Sequence, residues 1–377
     1  MKIPLVDLQA QYGGIREDVL AAMTRVCDSQ KFILGHEVEA LERELAIMLG
    51  VVHAVGVSSG TDALLMAMMA LDVAPGDEVI TSPYTFFSTA GSIVRLGAKP
   101  VFVDIDPTTY NIDTNKITSV INRRTKAIVP VHLFGLSADL DPLLQVARSE
   151  AIPVIEDACQ AIGARYKNRF VGALGAIGCF SFFPSKSLGG FGDGGLLVTN
   201  DDSLSNLSRQ LRVHGNRDGH LHKVVGGNFR LDALQAAVLR VKATYLGEWC
   251  EGRRTNAKRY DRLFQEFGIS TDIGDGGVTL PVEPSTCFHT YNQYVIRSVR
   301  RDELRANLKS CGVETAIYYP VPLSLQESFR GLGYVSGSFP FAELAARETL
   351  ALPMYAEITE AQQVHVVKCI AEFLRVN

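Results

Sequence analysis

Residues 51–84 read VVHAVGVSSGTDALLMAMMALDVAPGDEVITSPY. VVHAVGV (51–57) is a short run rich in β-branched valine, the pattern of a buried strand. SSGTDALLMAMMALDV (58–73) opens with small polar residues suited to a helix start and continues with unbranched apolar residues that favour helix. PGDE (75–78) marks a turn, and EVITSPY (78–84) reads as a second strand. A strand, a covering helix and a further strand form the repeating unit of a parallel sheet.

The alternation continues along the chain. TFFSTAGSIVRLGA (85–98) and DLDPLLQVARSEA (139–151) read as helices, while KPVFVDID (99–106), TKAIVPVHLFG (125–135) and PVIEDA (153–158) read as strands. CFSFF (179–183) and GLLVTND (195–201) follow as two more strands. Upstream, Val19 to Leu49 reads as helix with a break near Leu34-Gly35. Downstream, a mostly helical region runs from Asp232 to Phe267. The C-terminal third mixes a strand (NQYVIRSV, 292–299) with helices (RDELRANLKSCG, 301–312, and TEAQQVHVVKCIAEFL, 359–374). The expected class is α/β, with a large domain over 1–240 built on a mostly parallel sheet flanked by helices. A smaller C-terminal α/β domain is expected over 241–377.

Composition narrows the function. The net charge of -4 over 377 residues leaves no general basic coat for nucleic acid or an anionic membrane. The seven cysteines (27, 159, 179, 250, 287, 311 and 369) are scattered without a CxxC pair, which points to reduced thiols rather than a disulfide framework or zinc site. MKIPLVDLQAQY at the N-terminus lacks the apolar core of a secretory signal, and no apolar run approaches the ~18 residues of a membrane span. A soluble cytoplasmic protein is expected.

The stretch FFPSKSLGGFGDGGLLVTND (182–201) sets one lysine before a glycine-rich tail. A phosphate-binding GxxxxGK[ST] loop fails here, because Ser185 and Phe180 stand where its glycines belong. Gly190, Gly192 and Gly195 match GxGxxG, but the motif must open a helix and LLVTN is strand-like. A lysine can also bond covalently to a carbonyl cofactor. Pyridoxal phosphate asks for that lysine, a carboxylate for its ring nitrogen, an aromatic or apolar cover and a phosphate cup. The chain offers Lys186, the strand-end pair Glu156 and Asp157, the aromatics Tyr84, Phe86 and Phe87, and Ser58, Ser59, Gly60 and Thr61 at a helix start. Adjacent strand residues face opposite ways, so only one of Glu156 and Asp157 can point at a cofactor. Singly, each of these residues also fits helix capping or core packing; their order along one α/β chain is what points to the cofactor.

At this level of detail the chain resembles the DegT/StrS-type sugar aminotransferases, pyridoxal phosphate enzymes of fold type I. The matching stretches are GTDAL (60–64), GDEVI (76–80), GAKPVFVDIDP (97–107), TKAIVPVH (125–132) with Gly135, IPVIEDACQAIGA (152–164), SFFPSKSLGGFGDGG (181–195), GGNFRLDALQAA (226–237) and YYPVPL (318–323). The resemblance implies that Lys186 bonds the cofactor and carries protons, that Asp157 binds the ring nitrogen, and that Gln160 binds the ring hydroxyl oxygen. It further implies Phe86 over the ring, Gly60, Thr61 and Ser181 on the phosphate, and Asn228 reaching the phosphate of a neighbouring subunit in a homodimer. Arg230, Tyr318 and Gln326 are the implied substrate contacts. Relatives that dehydrate rather than transaminate carry histidine in place of the lysine, so Lys186 implies transamination. Tyr318 and Ser324 stand where histidines are common in the family, and both bear on the choice of sugar.

The implied reaction moves an amino group from an amino acid, L-glutamate by resemblance, to a keto-sugar nucleotide, with a UDP-linked 3-keto sugar favoured. Another reaction of an amino acid on the same cofactor, and a regulator that keeps the fold without turnover, are the alternatives. The cations and histidines of 209–230 (Arg209, Arg212, Arg217, Lys223, Arg230, His214, His220 and His222) could meet a diphosphate from a loop, or simply be solvated. His220 and His222 have no third partner at metal-site spacing, so no metal is expected. Asp104 and Asp106 read as a strand end and a turn.

Overall fold

The computed structural model describes residues 1–218, 221–270 and 277–375. Seven strands make the central sheet: β1 (His53–Val57), β2 (Glu78–Thr81), β3 (Lys99–Phe102), β4 (Thr125–Val129), β5 (Ile155–Asp157), β6 (Ile177–Ser181) and β7 (Gly195–Thr199). Their spatial order is β1-β7-β6-β5-β4-β2-β3, with β4 and β5 joined by the parallel bridges Ile128–Val154 and Val131–Asp157. The pairs β6/β5, β4/β2 and β2/β3 are parallel, while β7 runs antiparallel to both its neighbours. The expected mostly parallel sheet is therefore present, with one reversed strand near its edge. The link between β6 and β7, residues 182–194, holds no helix, so β7 folds straight back beside β6 instead of crossing over the sheet.

Helices cover the sheet: α1 (Leu8–Ser29), α2 (His36–Leu49), α3 (Gly60–Ala70), α4 (Phe87–Arg95), α5 (Leu140–Ser149), α6 (Asp202–Leu211), α7 (Ala233–Ala243) and α8 (Leu246–Glu266). The helix expected to begin at Val19 begins eleven residues earlier. Gly13 and Gly14 weaken the local helical signal, yet Asp7 caps the Gln9 and Ala10 N–H groups. Ile15, Val19, Ala22 and Val26 then bury one face against Ala233, Ala237 and Val238 of α7. Packing overrides propensity here. The helical region from Asp232 divides at Thr244-Tyr245 into α7 and α8.

Helix α8 belongs to two cores. Leu246 and Cys250 pack with the sheet-side cluster around Phe180 and Phe182, while Ala257, Tyr260, Leu263 and Phe264 pack with the C-terminal cluster. That second core is built on the antiparallel pair β8 (Tyr294–Arg297) and β9 (Thr349–Leu352), with α9 (Arg301–Ser310) and α11 (Glu360–Arg375) around it, while α10 (Pro340–Glu348) packs with a separate cluster that includes Tyr84 and Phe102. Ile3 from the chain start joins it, its N–H bonded to Gly312 O at 2.9 Å. Asp104 reaches across from the sheet to accept from Phe341 N and Ala342 N at the start of α10, and Asp106 closes its own turn on Thr108 N and Thr109 N. All seven cysteines are free thiols. Among the described residues no helix is long and apolar enough to cross a membrane.

Two buried carboxylates tie the layers together. Glu42 of α2 accepts from Gly56 N of β1 at 2.8 Å, from Arg209 at 2.7 Å and from Arg212 at 2.5 Å, and Arg212 also donates to Gly56 O. Arg209 and Arg212, read from sequence as cations for a diphosphate, are thus committed to the frame. Glu156 of β5 is fully buried and accepts from Gly172 N, Leu174 N, Gly175 N and His132 Nε2, all between 2.6 and 2.9 Å. His132 Nδ1 accepts from Ala138 N at 3.1 Å, so the proton on Nε2 is the one that faces Glu156. Burial alone would raise the Glu156 carboxyl, but the His132 hydrogen bond and the backbone N–H groups outweigh it and hold the pKa below the ordinary 4.5.

A glutamate with a depressed folded pKa lends stability that is present above its unfolded pKa and fades as pH falls through the folded value. Glu156→Gln should therefore cost about 3–5 kcal/mol at neutral pH. Denaturant titrations in steps below pH 4.5 should show the gap from wild type closing; a gap independent of pH would contradict this account.

Candidate active site

A cavity of about 590 Å³ opens at the carboxyl ends of the central strands, where α/β sheets place their ligands. Its walls come from the start of α3 (Ser59, Gly60, Thr61), the β2–α4 loop (Thr85, Phe86, Ser88), the end of β5 (Asp157, Cys159, Gln160), the end of β6 and the loop beyond it (Ser181, Phe183, Ser185, Lys186), and Asp193. The C-terminal part closes it with Gln293, Ile317, Tyr318 and Tyr319.

Lys186 sits on a turn whose N–H closes on Phe183 O at 2.9 Å. Burial lowers its pKa from 10.5, against smaller upward pulls from Cys159 and Asp157. The amine is thereby biased toward its neutral, nucleophilic form. Asp157 answers the question that the sequence left open: Glu156 turns into the frame, and Asp157 lines the cavity. Its Oδ2 accepts from Thr89 at 2.8 Å and its Oδ1 from Cys159 N at 3.2 Å. Thr85, a cavity residue, hydrogen-bonds Thr89 at 3.2 Å, so two threonine hydroxyls stand behind the carboxylate.

The Gln160 amide is oriented from both ends. Its Oε1 accepts from Phe134 N at 2.9 Å and its Nε2 donates to the Tyr319 hydroxyl at 2.8 Å, leaving one Nε2 hydrogen for a ligand. Phe86 lines the cavity and is 55% exposed, so its ring is free to cover a planar group. Tyr84, also a sequence candidate, is buried; its hydroxyl bonds Tyr318 O and Thr349 and so anchors the wall rather than facing the ligand. Phe87 packs on Phe329.

Ser59 caps α3 by accepting from Asp62 N, and Ser58 and Ser59 both donate to Asp62 Oδ2. Their hydroxyls are committed, and Ser58 does not line the cavity. The groups that could cup a phosphate are the first-turn N–H groups at Gly60 and Thr61, which a helix leaves without intrahelical partners, together with the Ser181 hydroxyl, all on the cavity wall. Glycine is required here by space. A Cβ on Gly60 would lie 2.7 Å from Ser181 Cβ and 2.8 Å from Cys159 Sγ, and one on Gly195 would lie 2.5 Å from the Ser59 carbonyl carbon.

Three expected contacts lie outside this cavity. Asn228 is exposed and paired by its backbone to Val213. Arg230 bridges Val57, its Nε buried without a partner among the described residues, and Gln326 is half-buried with Nε2 3.4 Å from Val321 O. Tyr318 does line the cavity. His222 bonds His214 O, His220 lies outside the described residues, and no three possible metal ligands group among those described. Thr85, Thr89, Gln293 and Tyr319 escaped the sequence reading. Tyr319 sits in the quoted YYPVPL segment and was within reach; nothing local marks Thr89, one turn inside a helix.

Pyridoxal phosphate fits this set of donors and acceptors: a desolvated lysine, a carboxylate backed by hydroxyls, an oriented amide donor and a helix start kept open by glycine. Across residues 14–371 the chain matches the profile of the DegT/DnrJ/EryC1/StrS aminotransferase family. It is 48% identical over 375 residues to the pleiotropic regulatory protein of Geobacillus stearothermophilus, covering 100% of this chain and 99% of that one. It is 41% identical over 372 residues to the UDP-N-acetyl-3-dehydro-α-D-glucosamine 3-aminotransferase of Acidithiobacillus ferrooxidans, covering 99% and 98%. The crystal structure of DesV from S. venezuelae matches with a TM-score of 0.94 at 38% identity, over 99% of this chain and 98% of that one. The chain belongs to the DegT/DnrJ/EryC1/StrS aminotransferase family and is a pyridoxal phosphate-dependent transaminase.

Proposed function

We propose that this transaminase moves an amino group from L-glutamate to a keto-sugar nucleotide, with a UDP-linked 3-keto sugar as the favoured acceptor. The product is an amino sugar for surface polysaccharide or a related glycan, made in the cytoplasm. The observation that carries the reading is the convergence of Lys186, Asp157, Gln160 and the start of α3 on one cavity. The 41% identity to the Acidithiobacillus enzyme supports the choice of acceptor.

When bound, pyridoxal phosphate supplies an aldehyde that takes up the amine and a ring that accepts the electron pair released as the donor Cα–H bond breaks. The chain's residues do the rest. The Lys186 amine, kept toward neutrality by burial, would take the proton from the donor Cα and pass it to the cofactor's aldehyde-derived carbon, and with the acceptor bound would move a proton from that carbon to the acceptor carbon. Asp157, held from behind by Thr89, keeps a proton on the ring nitrogen. Gln160 Nε2 points its remaining hydrogen at the ring hydroxyl oxygen, Phe86 covers the ring face, and the Gly60 and Thr61 N–H groups with Ser181 hold the phosphate.

Asn228, remote from its own cavity, serves the neighbouring subunit's phosphate in a homodimer. Tyr318 meets the sugar from within the cavity; Arg230 and Gln326 complete the nucleotide-sugar site from outside it. A purely regulatory role would suit the name of the Geobacillus relative. A lysine and a carboxylate brought together in one cavity serve chemistry, whereas a scaffold has no use for the pair.

Lys186→Ala should lower turnover by about 10³-fold or more and abolish the borohydride-trapped cofactor adduct; a variant that still traps cofactor would remove Lys186 from its role. Asp157→Asn should keep the fold but lose about 10²–10³-fold in rate, read by single-turnover kinetics. L-glutamate should bleach the yellow absorbance of the wild-type enzyme, and a UDP-linked 3-keto sugar should restore it. Restoration only by 4-keto sugars would overturn the acceptor, and indifference to glutamate would overturn the donor.

A further inference from the structure

We propose that a second pocket, behind the loop that carries Lys186, binds a small anion, inorganic or carboxylate, on Lys242. This pocket measures about 170 Å³ and shares no lining residue with the active-site cavity. One wall is the start of α1, including Leu8, Gln11 and Tyr12; the other is Pro184 and Phe191, on either side of Lys186; Lys242 of α7 completes it. No carboxylate lines the pocket.

Lys242 is only 3% exposed, and its ammonium has neither a hydrogen bond nor an ion pair with any described residue. Its neighbours are two aromatic rings, Phe191 and Trp249, each with its centroid 5.8 Å away. That is near the ~6 Å outer limit of a cation–π contact, so the rings compensate the charge weakly. Burial draws the Lys242 pKa down to about 8, against an upward pull from the nearby Glu357 carboxylate, which forms no ion pair with it. A buried charge with no direct hydrogen-bonding or ion-pair contact is costly, and structures normally supply one. The remaining polar groups in the pocket, the Gln11 amide and the Tyr12 phenol, can both donate. A cation and two donors around a space too small for a nucleotide describe a receptor for a chloride-, formate- or phosphate-sized anion. Because Pro184 and Phe191 flank Lys186, an anion here would also brace the lysine-bearing loop from behind.

Trp249 is the chain's only tryptophan and is 7% exposed, so its fluorescence reports on this pocket and is shielded from bulk quencher. Iodide titrated at constant ionic strength, into cofactor-free and cofactor-loaded enzyme, should quench Trp249 with saturation, and formate or phosphate should compete. Lys242→Arg should retain the saturable phase, and Lys242→Gln should lose it. Purely linear quenching of the wild type, or saturation that persists in Lys242→Gln, would overturn the site. Should Lys242→Gln fail to fold, competition by formate in the wild type decides alone. A saturable phase that appears only on dilution to monomer would place a second copy's carboxylate in the pocket and overturn the free-anion assignment.

Discussion

The active site depends on how one short strand is held. Glu156 and Asp157 are neighbours on β5, and the pleat sends their side chains to opposite sides. Four donors converge on Glu156, three from the backbone of 172–175 and one from His132. A one-residue slip of β5 would put Glu156 in the cavity and Asp157 in the frame. The buried carboxylate therefore specifies register as well as stability, and the cavity-facing carboxylate inherits its aim from it.

A second constraint is the closeness of three backbone segments beneath the cup. Gly60 at the start of α3 nearly touches Ser181 at the end of β6, and Gly195 at the start of β7 nearly touches Ser59. Any side chain at either glycine would push the helix start away from the lysine-bearing loop. The glycine-rich tail after Lys186 thus serves approach of backbone to backbone, and β7 can return antiparallel beside β6 because that tail is short and compact.

Much of the site was legible because the chemistry uses scarce residue types at strand ends. Lys186, Asp157, Gln160, Gly60, Thr61, Phe86, Ser181 and Tyr318 all line the cavity as expected from their places in the motifs. Tyr84, Arg209 and Arg212 show the limit. Each has the right chemistry for a site, but Tyr84 is turned into the wall and the two arginines are drawn to Glu42, a residue more than 160 positions away in sequence. Long-range pairing of that kind leaves no local pattern. Asn228, Arg230 and Gln326 are likewise well placed in their motifs yet stand apart from this chain's own cavity.

By itself the sequence determined the alternation of strand and helix, the parallel character of the sheet and the residue types available at its carboxyl edge, since these follow from periodicity and local propensity. Only the tertiary structure decided which of two adjacent acids faces the cavity, which cations belong to the frame, that α1 continues through Gly13 and Gly14, and that Lys242 is buried without a direct ion pair among the described residues. Each of those outcomes is set by contacts between residues distant in the chain, where burial and hydrogen bonding outweigh what a local stretch prefers.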